Sequence, residues 1–239
     1  MNNDRRRDEP RLLILETSGK VGQVAVAEGR RLGSVRSLSE SRRHARDLAP
    51  AIVELCAEKG WRVRDLDAVI VSLGPGSYTG LRIGIVTAKT LAYASGCAML
   101  GIETFAAIAR RTPSEAKVVD VIADGQQQNI YVQRWRHSGK EWEAEALRIR
   151  AASEWLADLS PGIWVTGPGL HQHETALPPL NPSVAAELRD PNALSLLELG
   201  LLRWRRGDAD DLWSLEPLYL RRSSAEEKWD RASSGRSKI

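Results

Sequence analysis

The chain has 239 residues, enough for one large or two small domains with a sizeable core, and we expect two. Its net charge is +3, but several basic residues lie near the chain ends, so the charge indicates weak anion affinity and does not establish nucleic-acid binding. The two cysteines form no CxxC pair, which excludes a disulfide framework and favours a reducing compartment. Since no apolar run reaches membrane-spanning length and no apolar signal core opens the chain, the sequence predicts a cytoplasmic protein without membrane contact.

The first half begins with a tail, three strands and a helix. Residues 1–10 are polar and charged, and they predict a disordered tail. The strands Leu12–Glu16, Val21–Ala27 and Leu32–Leu38 are joined by short links, which predicts an antiparallel meander. Helical spacing of apolar residues then predicts a helix over Ala45–Lys59.

The most informative stretch lies next. A run rich in β-branched residues, Ala68–Leu73, predicts a buried strand, and the loop Gly74–Gly80 leads into a helix that starts near Thr79 and stops at Gly96. Two stripes run along this helix: Leu81, Ile85, Ala88 and Ala92 on one, and Ile83, Val86 and Tyr93 on the other. Small residues also repeat every four positions, at Gly80, Gly84, Ala88 and Ala92. Because another backbone can approach such a ridge closely, we expect the helix to be covered by its own sheet and by something else.

The remaining pattern completes one subdomain and predicts a second. A strand Ala98–Ile102 and a helix Thr104–Arg111 end the first half. The second half predicts strands at Val118–Ala123, Ile130–Trp135, Trp142–Ala146, Trp164–Thr166 and Val184–Ala185, and helices at Ser153–Leu159 and Ala193–Arg206. Most of the eight tryptophans follow residue 130, and we interpret them as filling the core of this half. We therefore predict an α/β fold with mixed-sheet subdomains in residues 11–112 and 113–222 and a charged tail in residues 223–239.

The loop Gly74–Gly80 has two interpretations. It follows a strand and opens a helix, so its backbone N–H groups and the positive end of the helix are placed to hold an anion. The absence of a Lys-Ser/Thr pair after the last glycine excludes a P-loop, and the glycine spacing is one residue too long for a dinucleotide loop. A structural turn and a phosphate contact both stay open.

Other candidate sites are weaker. His171 and His173 could lie on one face of an extended segment, as zinc ligands do, but no third ligand is near them in sequence. We favour a solvated loop there. Because the hydroxyls around Ser77 occur without a Gly-x-Ser-x-Gly elbow or a triad pattern, we assign no catalytic residue and no metal ligand.

One stretch carries a family resemblance. The sequence Ser72-Leu-Gly-Pro-Gly-Ser-Tyr-Thr-Gly-Leu-Arg-Ile-Gly84 resembles a motif of the TsaB family, also called YeaZ-like. Further matching positions are Leu15–Ser18, Arg43, His44, Pro50, Asp124 and Pro217–Arg221. The family belongs to the actin-like ATPase superfamily and supplies a subunit of the bacterial machinery for the threonylcarbamoyladenosine modification of tRNA. The resemblance is strong over residues 12–110 and rests on scattered positions beyond them.

The resemblance implies a subunit that is not itself the catalyst. TsaB proteins pair with the catalytic relative TsaD through helices of the first domain, the ATPase TsaE joins them, and TsaB alone forms a homodimer; tRNA would be reached only through the complex. TsaD carries two metal-binding histidines after the corresponding helix, whereas Gly101–Ile108 contains no histidine here. The resemblance places the partner contact at His44, Ala45, Leu48, Ile52, Gly80, Gly84, Thr87 and Ala88.

The superfamily also implies a site for nucleotide phosphates, with ATP or ADP bound only in the complex and no other cofactor. The candidate contacts are Glu16, Thr17, Ser18, Gly74, Gly76, Ser77 and Asp124. Glu16 stands where an aspartate is usual, and Gln126 and Asn129 lie where charged residues are more common. Two alternatives stay open: a metallopeptidase-like or phosphotransferring enzyme that acts through Glu16, Asp124 and the loop, and a module whose first-domain helices pair with themselves.

Overall fold

The structure is a computed structural model that describes residues 8–38 and 44–218. Over these residues the chain forms two five-stranded mixed sheets, as the predicted α/β class requires. The first sheet contains β1 (Arg11–Glu16), β2 (Gln23–Glu28), β3 (Arg31–Ser37), β4 (Ala68–Gly74) and β5 (Ala98–Glu103). The second contains β6 (Val118–Asp124), β7 (Asn129–His137), β8 (Trp142–Ala144), β9 (Arg148–Ala151) and β10 (Trp164–Thr166). The α-helices of this part of the chain are α1 (His44–Glu58), α2 (Tyr78–Ser95), α3 (Thr104–Ala109), α4 (Ala152–Ala157), α5 (Leu170–His173) and α6 (Ala193–Arg206).

The first sheet has the strand order β3-β2-β1-β4-β5. Strands β1, β2 and β3 pair antiparallel, which confirms the predicted meander. Strand β4 is parallel to both β1 and β5, so β1 and β4 end at the same edge of the sheet. The turn after β1 and the loop after β4 therefore lie side by side.

The bounds of α2 follow from its sequence. The hydroxyl of Ser77 accepts a hydrogen bond from Gly80 N–H at 3.2 Å and caps the first turn. Gly96 ends the helix with φ of 72°, and its N–H donates to the carbonyl of Ala92. Glycine adopts this left-handed conformation without strain, which is why the helix stops where the sequence predicts.

Helices cover both sides of the first sheet. On one side, α1 and α2 pack against strand residues such as Leu13 and Val69. On the other side, Leu197 of α6 packs against Ile14 and its neighbours. We call the first sheet with α1, α2, α3 and α6 the first lobe, and the second sheet with α4 and α5 the second lobe. Because α6 belongs to the first lobe, the sequence range 113–222 contains both the second sheet and a helix that returns to the first.

The second sheet differs from the prediction in two places. The predicted strand Val184–Ala185 is wrong, because this region forms only an isolated bridge between Ser183 and Val165. Strand β9, which pairs with β7, is missing from the predicted elements. Its sequence, Arg-Ile-Arg-Ala, alternates arginines with apolar residues over too short a length to stand out.

Residues 208–218, which we call the C-terminal strap, return to the free edge of β5. Asp210 N–H donates to Met99 O at 2.8 Å, and the Asp210 carboxylate accepts from Gly101 N–H at 2.6 Å. The strap packs half-buried leucine side chains against the core beneath α2, at Leu212, Leu215 and Leu218. The strap therefore lies on the same side of the sheet as α1 and α2.

Parts of the predicted tails cannot be compared with the structure. Residues 1–7 and 219–239 lie outside the described residues, as do residues 39–43. In the described part of the chain, no helix combines the length and the apolar character needed to cross a membrane.

Candidate functional site

The turn after β1 buries polar residues beside the start of α2. Glu16 and Thr17 are completely buried, and Ser18 is nearly so. Oε1 of Glu16 accepts hydrogen bonds from Ser18 N–H at 2.6 Å and from Gly19 N–H at 3.3 Å. Oε2 of Glu16 and the hydroxyl of Thr17 are buried without a hydrogen-bond partner. One oxygen of this carboxyl therefore ties the turn together, while the other is unsatisfied.

The environment of Glu16 disfavours its charged form. Burial raises the pKa of the Glu16 carboxyl above its ordinary value of 4.5, and the hydrogen bonds from Ser18 and Gly19 oppose that rise. Glu16 stabilises the turn in this arrangement.

The loop after β4 packs directly on that turn. Ser77 N–H donates to Ser18 O at 2.7 Å, and Gly74 N–H donates to the hydroxyl of Thr104 at 3.1 Å. A Cβ at Gly76 would overlap the backbone of Ser18, so the close approach requires glycine. The N–H groups of Gly74 and Ser77 are therefore used within the chain, and Ser18 fills the space beside Gly76.

Asp124 closes a hairpin at the end of β6. Its Oδ1 accepts from Gln126 N–H at 2.7 Å. Gln126, Gln127 and Gln128 have φ of 62°, 52° and 64°, three consecutive residues in a region that residues other than glycine rarely occupy. Ala152 N–H donates to Gln128 O at 2.9 Å and ties the hairpin to α4. The predicted candidate contacts therefore divide between two turns, and Asp124 stabilises the second one.

The ridge of small residues on α2 faces the turn of its own chain. A Cβ at Gly80 would overlap the carbonyl oxygen of Thr17, and one at Gly84 would overlap the Thr17 side chain. Ala88 and Ala92 are buried in the core beneath the helix. The backbone that approaches the ridge at Gly80 is therefore that of the turn after β1 in the same chain.

The predicted contact residues of α1 have a similar position. Leu48 and Ile52 point inward and belong to the core between α1 and the first sheet. Thr87 of α2 is half-buried. His44 and Ala45 begin α1, but their side chains lie outside the described part of the structure. Leu48 and Ile52 are therefore part of the core, whereas Thr87 keeps part of its surface exposed.

The outward sides of α1, α2 and the strap form a surface that we call the outer face. It carries Val53, Val86, Tyr93 and Trp213, which are 59%, 60%, 72% and 79% exposed. Among the described residues one further large apolar side chain, Leu180 of the second lobe, is more than half exposed, at 67%. Exposed apolar groups that adjoin one another, as the rings of Tyr93 and Trp213 do, mark interaction sites. The second stripe of α2 was the sequence signal for this face, since Val86 and Tyr93 both belong to it.

The remaining candidates show no metal site. His171 and His173 lie in the short helix α5 and not in an extended segment. The neighbouring Glu174 binds Arg189, with Nη1 and Oε2 2.8 Å apart, and this contact lowers the pKa of Glu174 to about 2. Within residues 8–38 and 44–218, no three His, Cys, Asp or Glu side chains are grouped closely enough to hold a metal ion.

Comparison with known proteins identifies relatives over most of the chain. Residues 32–156 match the family model described as TsaD, tRNA N6-adenosine threonylcarbamoyltransferase. An uncharacterised protein of Mycobacterium bovis is 31% identical over 186 residues, which are 78% of this chain and 79% of the relative. The tRNA threonylcarbamoyladenosine biosynthesis protein TsaB of Escherichia coli is 28% identical over 234 residues, which cover 91% of this chain and 97% of that protein.

A solved structure agrees with these relatives. YeaZ from Pseudomonas aeruginosa superposes with a TM-score of 0.76 at 26% identity and covers 88% of this chain and 100% of that one. The two mixed-sheet lobes have the actin-like ATPase fold that the resemblance implies. Motif, relatives and fold lead to the same conclusion, and the chain belongs to the TsaB (YeaZ) family.

Proposed function

We propose that this chain is the non-catalytic subunit that a TsaD-like enzyme requires to place threonylcarbamoyl groups on tRNA, at the adenosine next to the anticodon. Membership of the TsaB family supports a role in tRNA threonylcarbamoyladenosine biosynthesis. The observation that carries the finer proposal is the outer face, an exposed apolar surface on the helices and strap of the first lobe. The chain supplies a docking surface and no reacting group.

The state of the polar turn supports a scaffold over an enzyme. Glu16 is buried with a raised pKa. Ser18 occupies the space beside Gly76 in the loop after β4. Asp124 closes its own hairpin. The groups through which a superfamily enzyme would act are therefore used to stabilise turns.

The architecture of the partner supports a contact between helices. The TsaD family model matches residues 32–156, which contain α1 and α2. A TsaD-family subunit thus has counterparts of both helices, and two related helix pairs can pack face to face about an approximate twofold axis. Val53 and Val86 would become buried there, and complete burial of such a side chain is worth about 1.5–3 kcal/mol.

The same face accounts for the other proposed partners. A second copy of the chain presents an identical outer face, so the chain pairs with itself when the TsaD-like subunit is absent. The two contacts exclude each other because both bury Val53 and Val86. A TsaE-like ATPase joins the heterodimer, and tRNA meets this chain only within that complex.

The test combines binding with tRNA analysis. The purified chain is mixed with the TsaD-like subunit of the same organism and analysed by size-exclusion chromatography, and threonylcarbamoyladenosine in tRNA is measured by mass spectrometry in cells lacking the chain. We expect a heterodimer and loss of the modified nucleoside. Val86→Asp should fold normally, since the side chain is exposed, but should abolish both the heterodimer and the modification.

Leu180→Asp is the matched control, because Leu180 is similarly exposed and lies in the second lobe. It should behave as the wild type in both assays. Modification of tRNA by the chain without a TsaD-like subunit would disprove the scaffold role. A heterodimer that tolerates Val86→Asp would disprove the proposed location of the contact.

A further inference from the structure

We infer that Tyr93 and Trp213 form an aromatic anchor that the TsaD-like subunit buries, so that the C-terminal strap joins α1 and α2 in the partner contact. This inference rests on the proposed function. It adds to the helix contact a residue of the strap, Trp213, which lies outside both helices.

The two rings form a defined pair. Tyr93 of α2 and Trp213 of the strap meet edge to face, with ring centroids 5.9 Å apart and an angle of 71° between the planes. Both side chains nevertheless remain mostly exposed, so the pair presents large apolar ring area to solvent. Tryptophan and tyrosine dominate the energetic centres of protein interfaces, because each rigid ring buries a large area and loses little conformational entropy.

Hydrogen bonds fix the backbone of the strap around Trp213. Oδ2 of Asp211 accepts from the N–H groups of Trp213 at 3.1 Å and Ser214 at 2.8 Å, which makes a tight turn around the exposed ring. The preceding residue, Asp210, binds the guanidinium of Arg203 from α6 through two hydrogen bonds of 2.7 and 2.9 Å. A backbone turn that is already ordered before binding pays less of the entropy cost of association.

The anchor is continuous with the outer face of the helices. Across the first sheet, α1 packs over β2, α2 packs over β4, and the strap follows β5, so the three segments lie side by side in that order. Val86 and Tyr93 are seven residues apart and therefore project from the same side of α2. A subunit that covers Val86 thus reaches Tyr93 and, next to it, Trp213.

The occupant that fits this position is the related catalytic subunit. The segment that matches the TsaD model, residues 32–156, contains Tyr93 and ends before the strap. Trp213 therefore distinguishes this chain's side of the contact from the shared helices.

Double-mutant analysis tests the anchor. Affinity of the full chain for the purified TsaD-like subunit is measured by isothermal titration calorimetry for the wild type, Trp213→Ala, Tyr93→Ala and the double variant. Each single variant should bind at least about tenfold more weakly. The double variant should lose less than the product of the two factors, because the rings contact each other. Trp213→Phe should recover most of the affinity.

Leu180→Ala serves as the control, since it removes an exposed side chain from the second lobe. Its affinity should remain within about twofold of the wild type. The melting temperatures of the free variants should match that of the wild type, because both rings are largely exposed. A change in binding without a change in melting temperature separates recognition from folding.

Three outcomes count against the inference. Failure of the wild type to bind the TsaD-like subunit would remove the proposed function, and the anchor with it. Binding by the wild type that Trp213→Ala leaves unchanged would overturn the anchor but keep the helix contact. A loss confined to self-association, measured by sedimentation, would also overturn it, because the rings would then serve a second copy of the chain.

Discussion

The inner and outer sides of α2 carry different residues for different reasons. On the inner side, Gly80 and Gly84 allow the turn after β1 to approach the helix, and a larger side chain at either would collide with Thr17. On the outer side, Val86 and Tyr93 project large apolar groups into solvent. Small residues on this helix therefore mark close packing within the chain, and large exposed ones mark surface that is available to another protein.

Helix α1 shows the same division. Leu48 and Ile52 point into the core, whereas Val53, one position further, is exposed. The comparison implies that substitutions on the inner sides change stability and that substitutions on the outer sides change binding. The following experiments test this division, beginning with the largest expected effect.

Truncation of a buried residue on α1 should have the largest effect. Leu48→Ala should lower the free energy of unfolding by about 2–5 kcal/mol, because it removes buried apolar surface and leaves a cavity. Val53→Ala, on the outer side of the same helix, should change it by less than about 0.5 kcal/mol. Urea denaturation followed by circular dichroism measures both variants. Equal losses would show that the two sides of α1 do not differ as described.

Enlargement of the ridge on α2 should come next. Gly80→Ala should lower the free energy of unfolding by about 1–3 kcal/mol through overpacking against Thr17, although alanine is the better helix former. Gly19→Ala is the matched control, since its Cβ would meet nothing nearer than Val21 O at 3.6 Å. The same denaturation experiment applies. A Gly80→Ala variant as stable as the wild type would mean that the ridge is not closely packed.

Release of the strap should have a smaller effect on stability. Asp210→Asn weakens the paired hydrogen bonds from Arg203 and should cost about 1–2 kcal/mol. Hydrogen exchange at Gly101 N–H, which donates to Asp210, should become faster. Asp208→Asn is the control, because Asp208 lies 3.5 Å from Arg203 Nε and holds it more weakly. Unchanged exchange at Gly101 would show that Asp210 does not fix the strap.

The buried carboxyl of the turn predicts a pH effect. Because the pKa of Glu16 is raised in the folded state, the stability that its neutral form provides is present at pH values below the ordinary 4.5. That stability is lost as the pH rises from 4.5 through the folded pKa, at up to about 1.4 kcal/mol per pH unit. Glu16→Gln keeps an acceptor oxygen for Ser18 and does not titrate, so its melting temperature should vary less over this range.

Glu154→Gln, at an exposed position on α4, provides the comparison for that titration. Its melting temperature should follow the wild-type pH profile. If Glu16→Gln also followed that profile, burial of Glu16 would have no part in the pH dependence.

The sequence predicts the local elements of the first lobe well. Ser77 and Gly96 are residues that cap helices, and they lie at the two ends of α2. The meander follows from short links between apolar runs. Periodicity also predicts α6 with its full length, Ala193–Arg206. These features depend on interactions between residues that lie close together in the sequence.

Long-range packing could not be predicted from the same patterns. The apolar stripe of α6 does not say which sheet it covers, and it covers the first. Because α2 has apolar residues on both sides, periodicity could not tell whether Gly84 or Val86 faces inward. Trp213 lies in a strap without regular structure, so its exposure depends on the turn at Asp211 and on the edge of β5. Of the predicted contact residues, Leu48, Ile52, Gly80 and Gly84 thus lie on the inner sides of α1 and α2.

Site-specific photo-crosslinking tests the location of the partner contact most directly. A photoreactive amino acid replaces Val86 on the outer face or Leu180 in the second lobe, and the chain is irradiated together with the TsaD-like subunit. We predict an efficient crosslink to the TsaD-like subunit from position 86 and none from position 180. A complex that forms normally but crosslinks from position 180 and not from position 86 would contradict the account.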